Sequence, residues 1–185
     1  MRTLLAGALC LVLACNVSDA LAAGDEPVEA GAGVTEVDAD RFVGRYAFAG
    51  GEAQRAALRQ AIEDLVAQLN AMIRNMAREK IAETNPVFDV ISIERNGDEL
   101  VLKYDGLTNA CKLDGSASEV KGIDGGTLTC RLSMDGEALV HRVKGSRGGR
   151  VNTFTVNKSG KLTMKTRIHS KMMPADLLYT LTFAR

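Results

Sequence analysis

The stretch VFDVISIERNGDELVLKY, residues 87–104, decides the fold. Val87–Glu94 and Glu99–Tyr104 are short runs rich in Val, Ile, Leu and aromatic residues, which read as strands. Between them stands Asn96-Gly97, a pair suited to a type I′ turn because both central positions take positive φ. The reading is an antiparallel hairpin. The same pattern recurs toward the C-terminus. Leu128–Met134 and Ala138–Lys144 flank Asp135-Gly136, Val151–Val156 and Leu162–Ile168 flank Ser159-Gly160, and Leu177–Ala184 follows Pro174. Leu107–Leu113 and Val120 add one or two weaker strands.

N-terminal to the hairpin, residues 41–49 place Phe42, Gly44, Tyr46 and Phe48 on one face at period two, which predicts an opening strand. Gly50-Gly51 ends it. Residues 52–84 then contain neither Gly nor Pro, and Leu58, Ile62, Leu65, Leu69, Met72 and Met76 recur at steps of four and three. That spacing predicts one amphipathic helix, with a two-helix hairpin breaking near Asn70 as the alternative. From residue 54 to 80 it would measure about 40 Å at 1.5 Å per residue. The expected fold is therefore mainly β with one long helix, an up-and-down antiparallel meander of eight to ten strands. Such a meander removes its edges by closing into a barrel. Residues 41–185 make a single domain.

The order of elements resembles the calycin group, the lipocalins and the fatty-acid-binding proteins. Phe42-x-Gly44-x-Tyr46 stands where those families open with a Gly-x-Trp or similar strand, and the helix directly after it looks like the fatty-acid-binding branch, where helices cap the barrel mouth. The resemblance covers residues 41–185 by topology and implies a barrel for a hydrophobic ligand. It departs from the pattern in three ways. The chain has no Trp, the helix reads as single rather than paired, and Tyr179 lacks the Arg-x-Tyr context that grips a carboxylate in that branch. No binding residue is carried over.

The first 22 residues read as an export signal. Arg2 is a positive n-region, Leu4–Ala14 an apolar h-region shorter than the ~20 residues of a bilayer span, and Ala20-Leu21-Ala22 a cleavage site. A second reading takes Val12-Leu13-Ala14-Cys15 as a lipobox, with Cys15 lipidated. Residues 23–40 follow as a flexible acidic spacer. From Gly24 to Asp40 it carries six acids, three glycines and no Lys or Arg. The chain would thus be periplasmic or extracellular, free or held to a membrane through Cys15. In an oxidising compartment Cys111 and Cys130 read as a disulfide. The enclosed loop is residues 112–129 and is worth ~3 kcal/mol in the chain-entropy model. The rival is a metal site adding His141 and His169, without the short paired spacings usual for one. The expectation is no metal.

The chain has 23 basic and 23 acidic residues, unevenly placed. Residues 138–175 hold nine Lys or Arg and no acid, with His141 and His169 among them. A solvated outer face explains this block most simply. Its functional reading is an anionic partner, though not nucleic acid. Nucleophile, carboxylate-pair, zinc-protease and phosphate-loop motifs are absent from the sequence, so neither an enzyme nor a cofactor is implied.

Two functions remain. One is an exported carrier or sensor of a small hydrophobic or amphipathic anion. Its tail would lie against Tyr46, Phe48, Tyr179, Leu181 and Phe183, and its charge would meet His141, Arg142 or Lys144. The other is an envelope protein-interaction module with a filled barrel. A monomer is expected over a coiled-coil dimer, because the helical stripe covers fewer than three heptads.

Overall fold

The computed structural model describes residues 33–185. The segment expected to be an export signal, with Cys15, and residues 23–32 of the expected spacer lie outside them. Ten strands form one antiparallel sheet: β1 (Gly44–Phe48), β2 (Val90–Asn96), β3 (Glu99–Tyr104), β4 (Leu107–Lys112), β5 (Ser118–Lys121), β6 (Thr127–Asp135), β7 (Ala138–Gly145), β8 (Gly148–Val156), β9 (Leu162–Ser170) and β10 (Leu177–Ala184). Their order is β4-β3-β2-β1-β10-β9-β8-β7-β6-β5. The meander therefore wraps around so that β1 pairs with β10, Phe48 opposite Phe183. Gly97 and Gly136 take φ of 60° and 56°, as tight hairpins require of their second central residue.

The barrel is nearly closed. β4 and β5 end the strand order without a backbone ladder between them, and the Cys111–Cys130 disulfide spans this seam from β4 to β6 with Cα atoms 6.0 Å apart. The Ser118 hydroxyl also accepts from the Lys112 amide across it, at 3.3 Å. Alternation along each strand sends Ile91, Ile93, Leu100, Leu102, Leu132, Leu139, Phe154, Leu162, Met164, Leu181 and Phe183 inward, where all are buried. The end of the barrel away from the cavity is a packed core. There the Tyr46 hydroxyl donates to the Phe42 carbonyl at 2.9 Å, and the Arg185 guanidinium sits 5.2 Å from the Tyr46 ring centre.

Two expectations are corrected. The helical region is a pair, α2 (Gly51–Ala67) and α3 (Arg74–Thr84), rather than one helix over 52–84. Asn70 breaks it. Its side-chain oxygen accepts from the Met72 amide at 3.0 Å and its carbonyl from the Ile73 amide at 3.1 Å, a local turn that competes with helix continuation. Arg74 then donates to the carbonyls of Leu69 and Ala67, satisfying orphan acceptors past the α2 terminus. Arg78 joins Glu63 in a two-bond pair at 2.6 and 2.9 Å, tying α3 to α2 and holding the Glu63 carboxyl below its usual pKa. Only the first half of the apolar stripe is covered: Leu58, Ile62 and Leu65 are buried, whereas Met72 is 92% and Met76 68% exposed.

The second correction concerns the spacer. Residues 34–40 are docked: Glu36–Asp40 form a short helix, α1, capped by Thr35. The Val34 amide donates to the Leu113 carbonyl at 2.7 Å, and Ala39 is fully buried. Its acids have partners, with Arg95 on β2 reaching Asp40 at 2.9 Å and Glu36 at 3.2 Å. Charge that reads as solvating in sequence is spent on one guanidinium of the sheet.

Candidate functional site

A cavity of about 310 Å³ lies inside the barrel at the end covered by the C-terminus of α3. It exists because its wall is short of side chains. Gly122, Gly145, Gly148 and Gly149 all line it, at the β5–β6 and β7–β8 turns. Gly148 is also needed for close approach, since a Cβ there would stand 2.2 Å from the His169 carbonyl oxygen. The apolar part of the wall comes from Leu107, Leu128, Val143 and Ile168.

The polar part is built from inner positions of five strands and the end of the lid. His141 is opposite Asn152, and Arg150 is opposite Val143 and Ile168. Asn152 accepts from the Thr166 hydroxyl at 3.0 Å. Arg150 Nη2 donates to the Thr84 carbonyl at 3.0 Å and to Asn85 Oδ1 at 2.6 Å, the last turn of α3. Helix carbonyl termini carry partial negative charge, so this is a favourable place for a guanidinium. Around it are buried polar atoms that no described residue satisfies: both ring nitrogens of His141, Oδ1 of Asn109 and the hydroxyls of Tyr104 and Tyr179. Leaving such groups unpaired costs ~1–3 kcal/mol each, which makes them markers for water or a ligand. Burial, with the Arg150 charge second, pushes the His141 pKa down to about 3, so its imidazole is neutral at pH 7. Burial likewise raises the Tyr104 phenol, opposed by Arg150 and by nearby Asn152, though the hydroxyl reaches no partner with full hydrogen-bond geometry.

Of the residues expected to hold a ligand, His141 alone lines this cavity. Arg142 points to the outer face and donates to the Ser133 hydroxyl at 2.5 Å. Lys144 is exposed on the same side of β7. Tyr46, Leu181 and Phe183 are fully buried in the packed core. Phe48 meets the Phe183 ring edge-on at 5.8 Å and lies under Arg55 of α2, 4.7 Å from its ring centre. Tyr179 is buried with its hydroxyl unpartnered, but is not part of the cavity wall. His169 also lines the cavity.

The residues that sequence reasoning passes over are Arg150, Asn109 and Tyr104. Starting β8 at Val151 leaves Arg150 in a loop, but carrying the period of Phe154 and Asn152 back two residues would have placed it inside. Asn109 shares its face with Cys111, and Tyr104 with Leu100 and Leu102, so a polar group at an inner position was the available signal.

No family model and no curated protein matches the chain. Solved structures do. Apo lipid binding protein 8 of Caenorhabditis elegans matches at 13% identity and a TM-score of 0.50, covering 82% of this chain and 98% of that one. Zebrafish ileal bile acid-binding protein complexed with cholic acid matches at 16% identity and a TM-score of 0.47, covering 78% and 98%. A Schistosoma mansoni fatty acid binding protein in complex with arachidonic acid matches at 14% identity and a TM-score of 0.46, covering 80% and 98%. These identities speak for the fold alone. The helix pair after β1 and the ten-strand meander give this chain a calycin-like barrel fold.

Proposed function

We propose that this chain is a non-enzymatic carrier or sensor of a small amphipathic anion, taken up beneath the lid into the 310 Å³ cavity. The observation that carries the reading is the cluster of unpaired polar groups, His141, Tyr104 and Asn109, beside a half-buried cation, Arg150, with Lys121, Asp124 and Arg147 also bordering the cavity. A carboxylate would take two charge-assisted bonds from Arg150 in place of Thr84 and Asn85. The neutral His141 and the Tyr104 hydroxyl would serve as further donors, and the alkyl part would lie on Leu107, Leu128, Val143 and Ile168. Small-molecule sites span ~300–1,000 Å³. A volume of about 310 Å³ favours a short amphiphile over a long-chain fatty acid.

Export belongs to the same proposal. The signal pattern of residues 1–22 supports a periplasmic or extracellular carrier, with the lipobox reading of Cys15 as its membrane-anchored form.

Calorimetric titration with decanoate and decanol tests the reading. Decanoate should bind saturably and more tightly than decanol. Arg150→Gln should weaken decanoate roughly ten- to a hundredfold, the equivalent of ~1.5–3 kcal/mol, and erase the preference for the acid. No binding of any acyl probe by the folded parent would defeat the carrier reading. It would leave the envelope protein-interaction module, for which the packed half of the barrel speaks.

A further inference from the structure

The disulfide at the seam has a neighbour. Cys130 on β6 faces Val143 on β7, and His141 is the next inner residue of that strand. The sulfur atoms of Cys111 and Cys130 and a ring nitrogen of His141 lie within 4.8 Å of one another. All three residues are fully buried. Neither nitrogen of His141 has a hydrogen-bond partner among the described residues, so nothing there commits the imidazole to another role. His141 also borders the cavity, as does Asn109, whose side-chain oxygen is likewise unpartnered.

We propose that Cys111, Cys130 and His141 form a redox-gated metal site, closed while the disulfide is intact and, once it is reduced, able to hold a borderline-soft divalent cation such as Zn²⁺. Two thiolates and an imidazole are a zinc donor set, and three protein ligands with a fourth position open to a cavity are the arrangement of zinc sites that keep an exchangeable ligand. Asn109 Oδ1 or a cavity water would fill that position. The steps balance. A dithiol reductant supplies two electrons and two protons, the S–S bond breaks, two S–H bonds form, and the reductant leaves as its own disulfide. Metal binding then releases the two thiol protons, because thiolate is the ligand form. Two thiolates neutralise the divalent charge, so a bound cation adds no net charge beside Arg150. In either state the β4–β6 seam is cross-linked, by sulfur–sulfur or by sulfur–metal–sulfur bonds.

The test uses the chain reduced by a dithiol in denaturant and refolded anaerobically, with Co²⁺ as the probe and Zn²⁺ as the competitor. One equivalent of Co²⁺ should give thiolate-to-cobalt charge-transfer and tetrahedral d–d bands, and Zn²⁺ should abolish both. The oxidised chain should give neither. His141→Gln should weaken Co²⁺ binding at least tenfold and change the d–d bands. If the reduced chain fails to refold alone, Zn²⁺ must restore its far-ultraviolet strand signal. The proposal is overturned by a reduced, folded chain that gives no such bands, by a chain that Zn²⁺ cannot refold, or by equal affinity and spectra in His141→Gln. Acyl binding is measured on the oxidised chain, so either reading can fail without the other.

Discussion

Arg150 on β8 and Asn85 at the end of α3 are joined through a hydrogen bond of 2.6 Å that crosses from barrel wall to lid. The guanidinium therefore both borders the cavity and ties down the end of the helix above it. Under the proposed function a ligand carboxylate would compete for this same group, and binding would then be coupled to opening of the helix.

That coupling gives the first prediction. Asn85→Ala removes the acceptor of a charged hydrogen bond and should cost about 1.5–3 kcal/mol. In hydrogen-exchange measurements α3 should lose protection while β2 and β3 keep theirs. Unchanged exchange in α3 would show that Arg150 does not secure it.

The helix pair makes opposite demands at two apolar positions. Leu65 is 3% exposed and Met76 68% exposed. Leu65→Asp should cost several kcal/mol, as an unpaired buried charge does, whereas Met76→Asp should stay within about 0.5 kcal/mol of the parent. Equal losses in urea unfolding would restore the single buried stripe.

Removing the disulfide should be costly in a defined way. The Cys111→Ala, Cys130→Ala double variant frees a loop of residues 112–129 and should lose ~3 kcal/mol in the chain-entropy model. Amide exchange should rise first in β4 and β5, the two strands with no ladder between them. A melting curve that overlays the parent's would show that the seam needs no staple.

His141 predicts a pH dependence. Its pKa falls from 6.5 to about 3 on folding, through burial and the like charge of Arg150. The unfolded chain thus binds the proton more tightly, so this group leaves stability intact above pH 6.5 and lowers it as pH falls from there toward 3. The slope approaches ~1.4 kcal/mol per pH unit. Between pH 7 and 4.5 the parent should lose about 2–3 kcal/mol more than His141→Gln. Parallel losses in the two proteins would mean that His141 is protonated in the fold.

Features that depend on neighbours along the chain were legible before folding. Asn96-Gly97 and Asp135-Gly136 set hairpins because their backbone requirement is local, and alternation put Gly44, Tyr46 and Phe48 on one face of the opening strand. The pairing of Cys111 with Cys130 followed from there being no other cysteine in the domain. What failed were balances between local and distant forces. The stripe from Leu58 to Met76 carries helical phase through Asn70, but the side chain of Asn70 makes its own turn, and Arg74 and Arg78 bind the two halves together. The acids of residues 36–40 look like those of a solvated linker until Arg95, more than fifty residues later, is placed beside them. The site was the least legible part. Whether an inner-facing residue lines a void or fills a core depends on which side chains crowd it from across the barrel. Tyr46 and Phe183 meet packed neighbours, while His141 and Arg150 line a cavity together with four glycines, which only the wrapped sheet brings together.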